Sequence, residues 1–120
     1  MKRLLETIAH NHVGIHEQDG KWVLRRFTQK QLDFYDGLGP VYSVRARASS
    51  GICLDFITDA SRVTLSYDAV CLMPQFGSAS IDLYVNGAFV HTAPCGEGEN
   101  LVWEYAFETS GEKRVTLYLP

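Results

Sequence analysis

No stretch of this 120-residue chain is apolar over the length of a membrane span. The N-terminus, Met1-Lys2-Arg3-Leu4-Leu5-Glu6-Thr7, has two leucines before Glu6 interrupts, too few for the apolar centre of a signal peptide. The expectation is a cytoplasmic protein with no membrane contact. Lys and Arg never form a run that neutralises a row of phosphates, which argues against nucleic acid as a partner. Eleven basic and fourteen acidic residues read as interspersed, with a formal net charge of −3. The three cysteines, Cys53, Cys71 and Cys95, are odd in number and irregular in spacing. That is neither a disulfide framework nor the close Cys pairing of a zinc site. They read as small buried hydrophobes, with one pairing left open for an oxidising compartment.

Catalytic signatures are also missing. No serine lies in Gly-x-Ser-x-Gly or Gly-Asp-Ser, and Ser49-Ser50-Gly51 reads as a turn with no helix after it. The one Gly-rich segment, Gly96-Glu97-Gly98-Glu99, puts carboxylates where a phosphate would be repelled. No cofactor is implied, and no residue is assigned a catalytic role.

What is present is period-two alternation. Candidate strands run over Val13 to His16, Trp22 to Phe27, Val41 to Arg47, Ile52 to Thr58, Arg62 to Cys71, Ser80 to Val85, Ala88 to Ala93, Leu101 to Phe107 and Lys113 to Leu119. Asn86-Gly87, which accepts positive φ at both positions, marks a two-residue hairpin. Thr28 with Gln31 three residues on is a capping-box signal, and predicts one short helix near 29–35. Ten glycines supply turns, while a hydrophobic fraction of 46% and a charged fraction of 21% fit one globular core. The expected architecture is therefore all-β: one domain over residues 1–120, an antiparallel β-sandwich, jelly-roll-like, with about eight strands. Ending on Leu119-Pro120 directly after a strand, the chain is expected to continue into another domain.

Three features carry possible binding chemistry. In the hairpin, a two-residue turn sets Val85 opposite Ala88, Tyr84 opposite Phe89 and Asp82 opposite His91. Asp82, Tyr84, Phe89 and His91 then share the face away from the core, and two outward aromatics suit a partner domain, a covering loop or a ligand. Arg45 and Arg47 project together from the polar face of their expected strand, and can hold a carboxylate or sugar hydroxyl, or pair with surface acids. Trp22, on an ambiguous face of its strand, is the natural member of a carbohydrate platform, whereas Trp103 lies on an apolar face and is read as core. Finally, His10, His12, His16 and Glu17 resemble the core of the first metal motif of cupins. The second motif is missing, because Pro94-Cys95-Gly96 is followed by no histidine, and metal is kept only as a lesser alternative to polar residues near a frayed terminus.

A family resemblance lies in three segments. Ser49-Ser50-Gly51 leads through an apolar strand to Phe56-Ile57-Thr58-Asp59-Ala60-Ser61. Ser80-Ile81-Asp82-Leu83-Tyr84-Val85 resembles a Gly-x-Asp-Leu-Tyr signature, and Tyr118-Leu119-Pro120 resembles a Tyr-Leu-Pro ending. Together, over about Phe27 to the end, they resemble the N-terminal β-sandwich domains of SGNH/GDSL-type hydrolases, and near Phe56 the jelly-roll domains of carbohydrate esterases. Ser80 replaces the signature glycine, and Ala60 intrudes between Asp59 and Ser61. The resemblance implies a non-catalytic accessory domain of an esterase or acylhydrolase acting on an acylated carbohydrate or similar ester. Its implied partner is a C-terminal SGNH hydrolase domain in the same polypeptide, with carbohydrate as a further ligand. A stand-alone carbohydrate-binding module is the alternative.

Overall fold

A computed structural model describes residues 2–69 and 79–120. Among them are nine strands, all paired antiparallel where register is defined, and three short helices. The all-β, antiparallel, sandwich-like class read from the alternation is the one observed. No helix among the described residues is long and apolar enough to cross a membrane. The chain divides into two compact units, Met1–Leu54 with Tyr118–Pro120, and Asp55–Leu117.

The first unit opens with α1 (Lys2–Ile8), where a frayed terminus was expected. Its exposed face is tied by a Lys2–Glu6 ion pair at i,i+4, and the Thr7 hydroxyl donates to the Arg3 carbonyl at 2.8 Å. Strand β1 (Ala9–His10) pairs with the start of β4 (Cys53–Thr58), with Ala9 opposite Leu54 and His10 opposite Cys53. Strands β2 (Gly14–Gln18) and β3 (Lys21–Arg25) form a hairpin across Asp19-Gly20, whose φ of 52° and 76° meet the positive-φ demand of a two-residue turn.

Helix α2 (Gln29–Leu38) has the capping box read from Thr28 and Gln31: the Thr28 hydroxyl accepts from the Gln31 backbone N–H at 3.3 Å, and Gln31 Oε1 accepts from the Thr28 N–H at 2.8 Å. Only Leu32 is fully buried. Gly39, at φ 121°, breaks the helix, and Pro40 starts α3 (Pro40–Ala46) from the first-turn position that tolerates a missing N–H. Of the segment Val41 to Arg47, expected as a strand, residues 41–46 are thus helical and Arg47 caps the helix. Valines and a tyrosine favour extended chain, but Gly39-Pro40 sets the helix start and side chains hold its end. The Arg26 guanidinium donates to the carbonyls of Arg45 and Ala48, both at 2.8 Å, satisfying acceptors that a helix terminus leaves open.

The second unit contains the sandwich. Strands are ordered β4, β9 (Lys113–Tyr118), β6 (Ser80–Val85), β7 (Ala88–Pro94), with β5 (Arg62–Ala69) and β8 (Gly98–Ala106) paired as a separate ribbon. Val70 and Cys71, expected at the end of β5, lie outside the described residues. Inward positions alternate as read: Ile81, Leu83, Val85, Val115, Leu117 and Trp103 are buried. On the inner face of β8, Trp103 stacks on Tyr105 with ring centroids 6.2 Å apart, and Tyr105 meets Phe107 edge to face at 5.6 Å. Full burial of one such aliphatic side chain contributes about 1.5–3 kcal/mol.

Candidate functional site

The β6–β7 hairpin turns through Asn86 and Gly87 at φ 50° and 82°. Asn86 ties this turn to β9, because its N–H donates to the Arg114 carbonyl at 2.8 Å and its Oδ1 accepts from the Arg114 N–H at 2.9 Å. Next to the turn the register is the expected one, with Val85 opposite Ala88 and Tyr84 opposite Phe89. Then Val90 is accommodated as an extra residue, and Leu83 opposes His91 while Asp82 opposes Thr92. This corrects the sequence expectation, since a one-residue bulge reverses the facing of everything beyond it. Asp82, Tyr84 and Phe89 keep the outer face. His91 shifts to the inner side, where its ring lies 5.4 Å from that of Tyr105 with the planes 30° apart.

The outer face is a mixed polar and aromatic surface. Tyr84 and Phe89 meet edge to face at 5.7 Å, and Phe89 is 57% exposed. Asp82 Oδ1 accepts from the Thr92 hydroxyl and, at 3.3 Å, from that of Ser80. On the neighbouring strands Arg114 grips Asp55 in a two-pronged ion pair, and the Thr116 hydroxyl donates to Asp55 at 3.3 Å. Ile57 is exposed on β4.

The arginines do not project together into solvent as a pair. Arg47 closes a bidentate contact on Asp36, with Nη1–Oδ1 2.6 Å and Nη2–Oδ2 2.9 Å, and the Ser43 hydroxyl donates to the same carboxylate at 2.6 Å. These hydrogen bonds, Arg47 foremost, hold the Asp36 carboxyl at about 2, and the Arg47 guanidinium is correspondingly raised by Asp36. The cluster therefore clamps α2 to α3. Arg45 lies on the exposed side of α3, away from it.

That helical pair carries a surface which alternation could not reveal. Phe34 (65% exposed) and Leu38 share the side of α2 opposite Leu32, while Val41 and Tyr42 are exposed on α3. Four large side chains with apolar bodies are thus exposed on two packed helices, and they are the candidate interface residues of this unit. The signal was available: 34 and 38 are at i,i+4 spacing within a helix whose cap was legible.

Trp22 is half-buried on β3, opposite Glu17. His10 and His16 are exposed on β1 and β2; His12, half-buried, has a buried Nδ1 without a hydrogen-bond partner. Among the described residues no three His, Cys, Asp or Glu side chains converge to hold a metal. His16 instead folds over Gly14, where a Cβ would come within 2.9 Å of its Nε2. Cys53 is buried and Cys95 half-buried, both as free thiols. The Tyr67 phenol is pushed up first by burial and then by its hydrogen bond with Cys95, against a lowering contact from the Gly96 backbone.

No family model and no curated protein matches this sequence. Among solved structures, the chain is similar to the salicylyl-acyltransferase SsfX3 from a tetracycline biosynthetic pathway, with a TM-score of 0.78 and 24% identity. The likeness covers 93% of this chain and 32% of that one, so the chain spans about a third of the acyltransferase's length. It establishes a shared fold.

Proposed function

We propose that this chain is the non-catalytic sandwich module of a larger SGNH/GDSL-type esterase or acylhydrolase, acting on an acylated carbohydrate or related ester. The observation carrying the reading is the fold likeness to one third of an acyl-transferring enzyme over nearly all of this chain. The segments around Phe56, Asp82 and Tyr118 support it. So does the exposed apolar side of α2 and α3, because a surface of this kind in a folded domain marks a protein contact. The module's task is then to dock on a catalytic domain and help to wall its substrate cleft.

A stand-alone carbohydrate-binding module is the second reading, favoured by Tyr84 and Phe89 beside the hydrogen-bonding set of Asp82. Its weakness is geometric. Rings meeting edge to face, with planes 73° apart, do not offer the flat platform on which a sugar ring stacks.

The test is to read the coding sequence beyond Pro120, express the whole encoded protein, and assay acyl-ester hydrolysis with Phe34→Ser and Leu38→Ser combined. Lost activity with unchanged unfolding of the sandwich is expected. A coding sequence without a hydrolase segment, or full activity in the double variant, rejects the reading.

A further inference from the structure

Two turns of this chain present the same chemistry in different settings. Asp19-Gly20 joins β2 to β3, and Asn86-Gly87 joins β6 to β7. Their backbones match closely, at φ 52° and 76° in the first and 50° and 82° in the second. Asp19 and Asn86 are both exposed. A Cβ built on either glycine would meet no atom within 4 Å, so neither turn is crowded.

Such pairs can rearrange without a catalyst, because a glycine has no side chain to hinder its nitrogen. At Asn86 the Gly87 amide nitrogen forms a bond to Cγ while the bond from Cγ to the side-chain nitrogen breaks. The proton of the Gly87 N–H leaves with that nitrogen, and ammonia departs. Water then opens the five-membered succinimide at one of its two carbonyls, giving aspartate or isoaspartate. At Asp19 the same ring closes on the protonated carboxyl with loss of water. Water taken up again on opening makes that change an isomerisation.

What differs is restraint. Ring closure brings Cγ into one plane with the glycine nitrogen, so both the turn and the side chain must move. Asn86 is held at both ends, its N–H on the Arg114 carbonyl at 2.8 Å and its Oδ1 on the Arg114 N–H at 2.9 Å. Strand β6 also lies between β7 and β9 in the sheet, so neighbours on both sides resist opening. The Asp19 carboxylate has no hydrogen bond or ion pair among the described residues. Its strands form a ribbon of two, which opens at low cost.

We propose that Asn86 is a latent self-modification site gated by Arg114. The β6–β9 contact blocks succinimide formation, and local opening of the hairpin releases it. The aspartate product keeps an acceptor for the Arg114 N–H. Isoaspartate adds a methylene to the main chain between Val85 and Ala88, which a two-residue turn cannot absorb without losing the register of β7. The modification is thus a one-way record of hairpin opening. It does not depend on the function proposed above.

The test incubates the purified chain at neutral pH and physiological temperature, folded in buffer and unfolded in urea. Both turns are followed by peptide mass mapping, with isoaspartyl methyltransferase labelling to detect isoaspartate. Conversion at Asn86 should be at least about tenfold slower in the folded chain than in the unfolded one, whereas Asp19 should slow by less than about threefold. Protection by the shape of the turn alone gives equal factors at the two positions, and that result overturns the gate. Conversion at Asn86 as fast in the folded chain as in the unfolded one overturns it as well.

Discussion

Lys113 donates from its Nζ to the carbonyl oxygen of Ala60 at 2.7 Å, from a position on the inner face of β9 where it is 2% exposed. The contact spans 53 residues and fixes the turn between β4 and β5 beside the aromatic inner face of β8. Burial of an ammonium is tolerated when it is hydrogen-bonded and lies on a ring face. Lys113→Ala should cost about 2–4 kcal/mol, from a lost hydrogen bond, an orphaned carbonyl and a cavity. Lys113→Met keeps the volume and should cost about 1–2 kcal/mol. Urea unfolding of both variants checks the order; a Met variant as damaged as the Ala variant would place the loss in the ammonium rather than in packing.

The Asn86 turn carries both a backbone and a side-chain duty. An alanine there must hold φ near 50° and gives up the acceptor for the Arg114 N–H. Asn86→Ala should destabilise by about 1–3 kcal/mol, whereas Asn86→Asp, which keeps the acceptor, should lose less than about 1 kcal/mol. Thermal or urea unfolding measures both.

Acid should act on the Asp36–Arg47 clamp. The folded carboxyl sits at about 2 against an ordinary 3.8, so its contribution is fully present above the ordinary value and fades as pH falls towards 2. NMR shifts of the α3 amides should report this between pH 4 and 2, and the step should vanish in Asp36→Asn. The contact is exposed, so added salt should shrink the effect.

The apolar side of α2 and α3 contributes little to the stability of the isolated chain. Phe34→Ser with Leu38→Ser should change unfolding free energy by less than about 1 kcal/mol, while raising solubility. A large drop in melting temperature would show these residues to be core.

Much of the architecture was legible because local chemistry agrees with it. Thr28 with Gln31 reads as a cap and is one. Asn86-Gly87 reads as a hairpin turn and is one. The inward positions of β6 and β9 follow strict alternation. Two misreadings have physical causes. Val41, Tyr42 and Val44 have strand-forming side chains, yet the helix there is set by Gly39-Pro40 before it and by the side chains of Asp36, on the preceding helix, and Arg26, 19 residues from Arg45. The site was half legible: Tyr84 and Phe89 do share the outer face, but the bulge at Val90 moves His91 to the other side. No turn residue announces that bulge. The charges read as interspersed are in fact uneven, nine Asp and Glu against three Lys and Arg over residues 55–117, but the dividing point falls inside β4, at Leu54, where the sequence shows no linker.

The most direct measurement is made on the purified 120-residue chain with p-nitrophenyl acetate and butyrate as acyl donors. A module that only docks and shapes a cleft leaves the hydrolysis rate at that of buffer. Turnover that follows protein concentration, and is abolished by a single substitution within these residues, would contradict the assignment of the chemistry to another domain.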